Sequence, residues 1–278
     1  MPNCYACGEN TTLNFSKEIS HNVYYYDKCC KCGSVFMLPV RYIEYEKNYF
    51  LNKTSMVNHT NPIESQVRSN AVYKVIEPYF NKMNSYTILE IGFGNGQLMK
   101  KIPSYLTVDG VEISDYARTQ IDDDFHVYKT IHDIPYHIKY GMIVMNDVLE
   151  HIENPLELIN DCYCKLYDNG YIYLRFPNIE GFGYKFKKEK WSQIIPEHFN
   201  FTTKKGMEKM IDGKFIIDKI IQTPSITLGI RKIIKPLFPN VAYLLGDIKR
   251  IMFYPIVNYI FNKFNLQGNN ITYILKKI

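Results

Sequence analysis

The run Ile88-Leu89-Glu90-Ile91-Gly92-Phe93-Gly94-Asn95-Gly96 joins an apolar strand pattern to an acid and then to three glycines at alternate positions. Glycine admits positive φ and has no Cβ, so its amides can approach a ligand closely; the triplet reads as a strand-to-helix turn shaped around a bound group. A second apolar run, Leu106 to Ile113, carries Glu112 near its end. A carboxylate there can accept hydrogen bonds from both hydroxyls of an adenosine ribose. The spacing E-x-G-x-G-x-G differs from the G-x-G-x-x-G of dinucleotide sites, which seats a pyrophosphate over a helix N-terminus.

A second set of reactive residues lies at the N-terminus: Cys4-x-x-Cys7-Gly8 and, after 21 intervening residues, Cys29-x-x-Cys32-Gly33. Each C-x-x-C puts two thiolates in one tight turn that the next glycine relieves, and two such knuckles complete a tetrahedral zinc site. Four thiolates leave no open position for water, so the zinc is structural. Cys29 is chosen over Cys30 because it repeats the C-x-x-C-G form. A disulfide framework would need an oxidising compartment, and no basic-then-apolar signal segment opens the chain, so a cytoplasmic setting is expected. Cys162 and Cys164, two apart in a helical pattern, read as buried small residues.

Further blocks follow in order. They are Asn146-Asp147-Val148-Leu149-Glu150-His151-Ile152-Glu153-Asn154-Pro155, then Leu166-Tyr167-Asp168-Asn169-Gly170-Tyr171-Ile172-Tyr173-Leu174, then Pro196-Glu197-His198-Phe199-Asn200-Phe201. With the glycine turn, these make the chain resemble the class I S-adenosylmethionine-dependent methyltransferases over roughly Thr87 to Thr203. The resemblance implies that Gly92, Gly94 and Gly96 hold the methionine and ribose portion of S-adenosylmethionine through their backbone. It places Glu90 at the methionine amino group, Glu112 on the ribose diol and Asn146 at the methionine moiety, with adenine near Thr130 to Ile134.

The Glu197-His198 pair resembles that of sugar C-methyltransferases, which also carry a four-cysteine zinc module; the likeness makes His198 the catalytic base, supported by Glu197. Those enzymes have an additional C-terminal domain that 278 residues cannot hold. Quinone O-methyltransferases of the class use an acid and a Glu-His pair for a divalent metal. Asp147, Glu150 and His151 imitate that cluster, although a helix start with local hydrogen bonds is the plainer reading.

These residues need a scaffold. Apolar runs at 87–91, 106–113, 125–128, 141–145 and 170–176 alternate with helical patterns, which implies an α/β fold: a parallel, Rossmann-like sheet with helices on both faces. Two last strands, about 214–221 and 270–277, bring the sheet to seven, the final one antiparallel as the resemblance implies. Ligands then lie at the C-terminal strand ends, where every motif above falls. The organisation is a zinc ribbon at 1–40, a helical cofactor-covering segment at 41–86 with patterns at Tyr42 to Leu51 and Glu64 to Met83, and a core at 87–223. A basic apolar insertion at 224–267 and the last strand at 268–278 follow.

Hydrophobic residues make up 46% of the chain, ordinary for a soluble globular protein. The insertion holds Arg231, Lys232, Lys235, Lys249, Arg250 and Lys263 against Asp247 alone, a net of +5 that matches the whole chain's +5 and leaves the rest neutral. Its longest uncharged run, Ile251 to Asn262, is broken by Pro255 and too short to span a bilayer. Such a segment suits an anionic membrane surface at the inner face of the membrane, a homo-oligomer interface, or packing on its own domain. Nucleic-acid binding is disfavoured: the charge is modest and no RNA-binding motif is recognised.

The expected activity is methyl transfer to a small-molecule or glycan acceptor, foremost a sugar or nucleotide-sugar in surface polysaccharide synthesis. A lipid-linked or quinone acceptor, an RNA methyltransferase and a non-catalytic binding module are the alternatives. The lysines of Lys185, Lys187, Lys188, Lys190 and Trp191 border this acceptor side, as substrate contacts or as a solvated loop.

Overall fold

The computed structural model describes residues 3–38, 40, 49, 62–223 and 268–278. Apart from Tyr49, which is helical and buried, the helical pattern at Tyr42 to Leu51 lies outside the described residues, as does the insertion at 224–267.

Three N-terminal strands, β1 (Thr11–Ile19), β2 (Asn22–Cys29) and β3 (Val35–Leu38), form an antiparallel meander. The core follows with α1 (Pro62–Ile76), β4 (Thr87–Ile91), β5 (Thr107–Val111), α2 (Asp115–Arg118), β6 (His126–Tyr128), β7 (Tyr140–Asn146), α3 (Pro155–Lys165) and β8 (Leu166–Pro177). After β8 come α4 (Phe182–Lys187), β9 (Asn200–Phe201), α5 (Lys204–Met210), β10 (Phe215–Thr223) and β11 (Asn270–Lys277).

The larger sheet has seven strands in the order β10-β11-β8-β7-β4-β5-β6. Pairings among β6, β5, β4, β7 and β8 are parallel, and β11 runs antiparallel to both β8 and β10. This is the seven-stranded Rossmann-like sheet with a reversed last strand. Its strands are apolar almost throughout because both faces are covered. In β7, Met142 and Val144 join one core cluster while Ile143 and Met145 join the other. Val72 and Ile76 of α1 cover the first face; Ile159 and Cys162 of α3 and Met207 and Met210 of α5 cover the second.

Local chemistry sets the element ends. Asn154 caps α3 by accepting from the Glu157 amide at 3.3 Å, and Pro155, which has no amide hydrogen to satisfy, opens the helix. The helical pattern through Met83 stops earlier as an α-helix, at Ile76, where Pro78 directs the chain into a 3₁₀ turn at Glu77–Tyr79.

Two expectations need correction. The strand expected at 170–176 begins four residues earlier, as β8: Leu166 pairs with Tyr140, and the register slips past Asn169, whose φ is +61°. Cys162 is buried but Cys164 is exposed. Residues two apart on a helix differ by about 200° in direction, so they cannot both face the core.

The smaller sheet has the order β1-β2-β3-β9. Its fourth strand is supplied by the core chain, so the N-terminal meander is sealed onto the segment that carries Glu197 and His198.

Candidate active site

Strand order reverses at β4, with β5 on one side and β7 on the other, and in such sheets the crevice at the strand ends takes the ligand. The loops leaving β4 and β7 carry the glycine triplet and the Asn146–His151 stretch. All three glycines have positive φ, +72° at Gly92, +55° at Gly94 and +67° at Gly96. A Cβ on Gly92 would meet Val148 at 2.6 Å, whereas one on Gly94 would stand in open space. Gly94 therefore leaves room on the open side of the turn for a group that a side chain there would block.

The two acids converge on this turn. Glu112, directly after β5, accepts the Gly94 amide at 3.0 Å and the Ser114 amide at 3.1 Å, one on each oxygen. Burial pushes its carboxyl up, and the two amides pull it back. Glu90 is 8% exposed, and its Oε2 has no hydrogen-bond partner among the described residues. Burial raises it to about 8, opposed by the Met99 amide and assisted by the negative charge of Glu112. A lone buried carboxyl oxygen of this kind suits a cationic ammonium. Asn95 exchanges hydrogen bonds with Ser65 of α1, which brings the preceding helix against the turn. Thr130 and Asp133 form a reciprocal capping box beyond β6, with Ile131 and Ile134 buried beside it.

At the end of β7, Asn146 donates to Asp147 Oδ2 at 3.2 Å and receives the Tyr173 hydroxyl at 3.4 Å. Asp147 sits at φ +59°, and both of its oxygens are held by Arg175 of β8. Asp147, the third member of the less favoured metal-like reading, therefore stands outside the group that Glu150 and His151 form. Arg175 draws Asp147 away, and His198 takes its place: donor atoms of Glu150, His151 and His198 lie within 4.8 Å of one another. The two imidazoles meet edge to face at 4.8 Å.

Both rings are held alike. Nδ1 of His151 lies 2.7 Å from the Glu197 carbonyl and Nδ1 of His198 lies 2.9 Å from the Gln193 carbonyl. A carbonyl oxygen only accepts, so each Nδ1 carries the proton and each Nε2 presents a lone pair. Burial holds His151 down to about 4 and His198 to about 3, the nearby ring lowering His198 further. Glu150 is buried, with its Oε2 unpartnered among the described residues; burial and then Asp147 push its carboxyl well up. Glu197 is buried as well. Arg175 was missed as a member of this site, although a single arginine inside the apolar run of β8 is a legible signal.

The four cysteine sulfurs of Cys4, Cys7, Cys29 and Cys32 lie within 4.8 Å of one another, and Cys30 stays exposed outside them. Sulfur pairs stand 3.6 Å apart for Cys4 and Cys32 and 3.4 Å for Cys7 and Cys29, too far for a disulfide bond. Gly8 and Gly33 take φ of +74° and +77°, and the amides of Lys31 and Cys32 both point at Cys29 Sγ from 3.4 Å. Soft sulfur donors converging in this way fit a tetrahedral zinc ion.

The sheet order with its reversed last strand, the glycine turn after β4 and the acid after β5 define an S-adenosylmethionine-dependent methyltransferase. Residues 53–213, more than half of the chain, match the family described as a methyltransferase domain, and the chain belongs to that family. Comparison with curated proteins returns no match. Among solved structures, it is similar to a SAM-dependent methyltransferase from Archaeoglobus fulgidus at 17% identity and a TM-score of 0.52, covering 76% of this chain and 94% of that one. It is also similar to a putative sarcosine dimethylglycine methyltransferase from Galdieria sulphuraria at 11% identity and a TM-score of 0.51, covering 77% and 85%. A third similarity is to the plantazolicin methyltransferase BpumL in complex with a triazolic analog and SAH, at 18% identity and a TM-score of 0.51, covering 83% and 88%. At these identities the likeness concerns the fold.

Proposed function

We propose that this methyltransferase acts on a sugar or nucleotide-sugar acceptor in surface polysaccharide biosynthesis, with His198 as base and Glu197 supporting it. The carrying observation is the Nδ1 bond of His198 to the Gln193 carbonyl, which leaves Nε2 as the nitrogen that can accept a proton. Burial holds the ring to about 3, so it takes the proton only as the loss of the sulfonium charge and the acceptor's own ionisation favour imidazolium. S-adenosylmethionine supplies an already activated methyl group, so the protein must align the acceptor and remove its proton. Gly92, Gly94 and Gly96 hold the methionine and ribose portion, Glu112 the ribose diol, Glu90 the ammonium group and Asn146 the methionine end. Cys4, Cys7, Cys29 and Cys32 hold a structural zinc ion.

A second reading places the acceptor on a lipid carrier at an anionic membrane surface. It is favoured by Phe186, which is 75% exposed, and by the exposed Lys185, Lys187, Lys188 and Lys190 around it. No described helix is long and apolar enough to cross a membrane.

Calorimetric titration with S-adenosylmethionine, S-adenosylhomocysteine and NAD tests the cofactor assignment; binding of the first two alone is expected. Transfer assays on nucleotide sugars then test the acceptor. His198→Ala is expected to keep cofactor binding and lose transfer, and a fully active variant would return His198 to a structural role. Flotation with anionic liposomes decides the second reading.

A further inference from the structure

The segment from Pro196 to Thr203 is a strap with one edge on the core and the other on the cysteine ribbon. Toward the core, Phe199 donates its amide to the Glu150 carbonyl at 2.7 Å, and the Glu197 carbonyl accepts from His151. Toward the ribbon, Met37 donates to the Phe199 carbonyl at 2.8 Å, and Val35 and Phe36 pair with Phe201 and Asn200. The contact then runs to the cysteines themselves. Thr203 Oγ1 donates to the Cys32 carbonyl at 2.7 Å, the Thr203 amide donates to Ser34 Oγ at 3.2 Å, and Ser34 Oγ lies 3.3 Å from Cys32 Sγ.

Ser34 is fully buried, and Gly206 lacks a side chain where a Cβ would fall 2.2 Å from Ser34 Oγ. The close approach of ribbon to core is thus specified by residue type on both sides. β9 has two residues, too few to hold an extended conformation without a partner strand. That partner is β3, which leaves directly from the second cysteine knuckle.

We propose that Ser34 and Thr203 are positioning residues, through which zinc in the ribbon fixes the strap and hence the place of His198 at the acceptor side. This rests on the reading of the cysteines as a zinc site and of His198 as the base. Zinc then acts without touching substrate. Its removal loosens the two cysteine knuckles from which β3 leaves, frees one edge of the strap and displaces His198. The glycine turn, anchored on β4 and β5, keeps its shape.

The test uses the full chain, zinc-loaded, chelated, or carrying Ser34→Ala, Thr203→Val or Thr203→Ser. Three quantities are read: zinc content, amide exchange over 196–203, and affinity for S-adenosylhomocysteine. Chelation is expected to speed exchange over 196–203 at least tenfold while affinity changes less than threefold. Ser34→Ala and Thr203→Val should act in the same direction with zinc retained. Thr203→Ser, which keeps the hydroxyl for Cys32 and for the Gly206 amide that Thr203 also caps, should restore protection. The NMR signal of the His198 Nδ1 proton should broaden or vanish whenever the strap loosens.

Unchanged exchange and an unchanged His198 signal after chelation or Ser34→Ala would overturn the proposal. So would a loss of cofactor affinity in step with strap exchange in the zinc-retaining variants, since that would make the ribbon a support for the whole fold. A chain purified without metal would instead sink the zinc reading, with the Ser34 and Thr203 variants still testing the coupling.

Discussion

Gly94 combines φ of +55° with open space at its missing Cβ, so the two effects of adding a methyl group separate there. Gly94→Ala is expected to cost about 1 kcal/mol of stability through the left-handed backbone. Its methyl group would occupy that space and weaken S-adenosylmethionine at least tenfold, measured as a small shift in Tm against a large one in calorimetric Kd. Glu112→Ala should likewise weaken the cofactor with the fold intact; unchanged affinity would remove Glu112 from the ribose. Glu90 makes a sharper prediction. Burial raises its carboxyl to about 8, so near pH 7 it is mostly protonated before a ligand arrives. A ligand ammonium favours the charged form, and binding at pH 7 should therefore release a proton. The release should fade toward pH 9, where the carboxyl is already ionised. Calorimetry in two buffers of different ionisation enthalpy reads it directly, and Glu90→Gln should abolish it.

Elements place these residues, and their ends are where they meet. β7 ends at Asn146 opposite Arg175 of the parallel β8, so the Arg175 side chain stands level with the strand end and holds Asp147 at φ +59°. Arg175→Met is expected to cost about 2 kcal/mol, the usual loss for hydrogen bonds to a charged group. It should also disturb Asn146, which donates to the same Asp147 carboxylate. A lower Tm together with weaker cofactor binding would agree; a lower Tm alone would detach Asn146 from the cofactor. The glycine turn and the C-x-x-C knuckles were legible in sequence because each is local, its backbone shape set by a few neighbouring residues. The strap was not. Pro196–Phe201 advertised its chemistry, but its pairing with Val35 and Phe36 spans most of the chain and has no periodicity of its own.

For the whole molecule, the buried histidines fix an acid limit. His151 and His198 fall to about 4 and about 3, whereas an unfolded chain protonates them near 6.5. Between those values the unfolded state binds protons that the folded state refuses, so stability falls as pH drops below about 6.5. The loss is about 2 kcal/mol per ring at pH 5. Denaturant unfolding at pH 7 and pH 5 should show a smaller difference in a variant carrying His151→Gln and His198→Gln than in the parent chain. The alternation of apolar runs, the acid and glycines after β4 and the paired cysteine knuckles already specified a seven-stranded methyltransferase sheet with a cysteine-rich module, since strand burial and tight turns depend on nearby residues. Tertiary structure alone decided that Arg175 claims Asp147, that His198 rather than Asp147 joins Glu150 and His151, and that the ribbon closes over the strap. Those outcomes turn on which strand ends and loops come within hydrogen-bond reach after the sheet has formed, a distance that no local pattern of residues encodes.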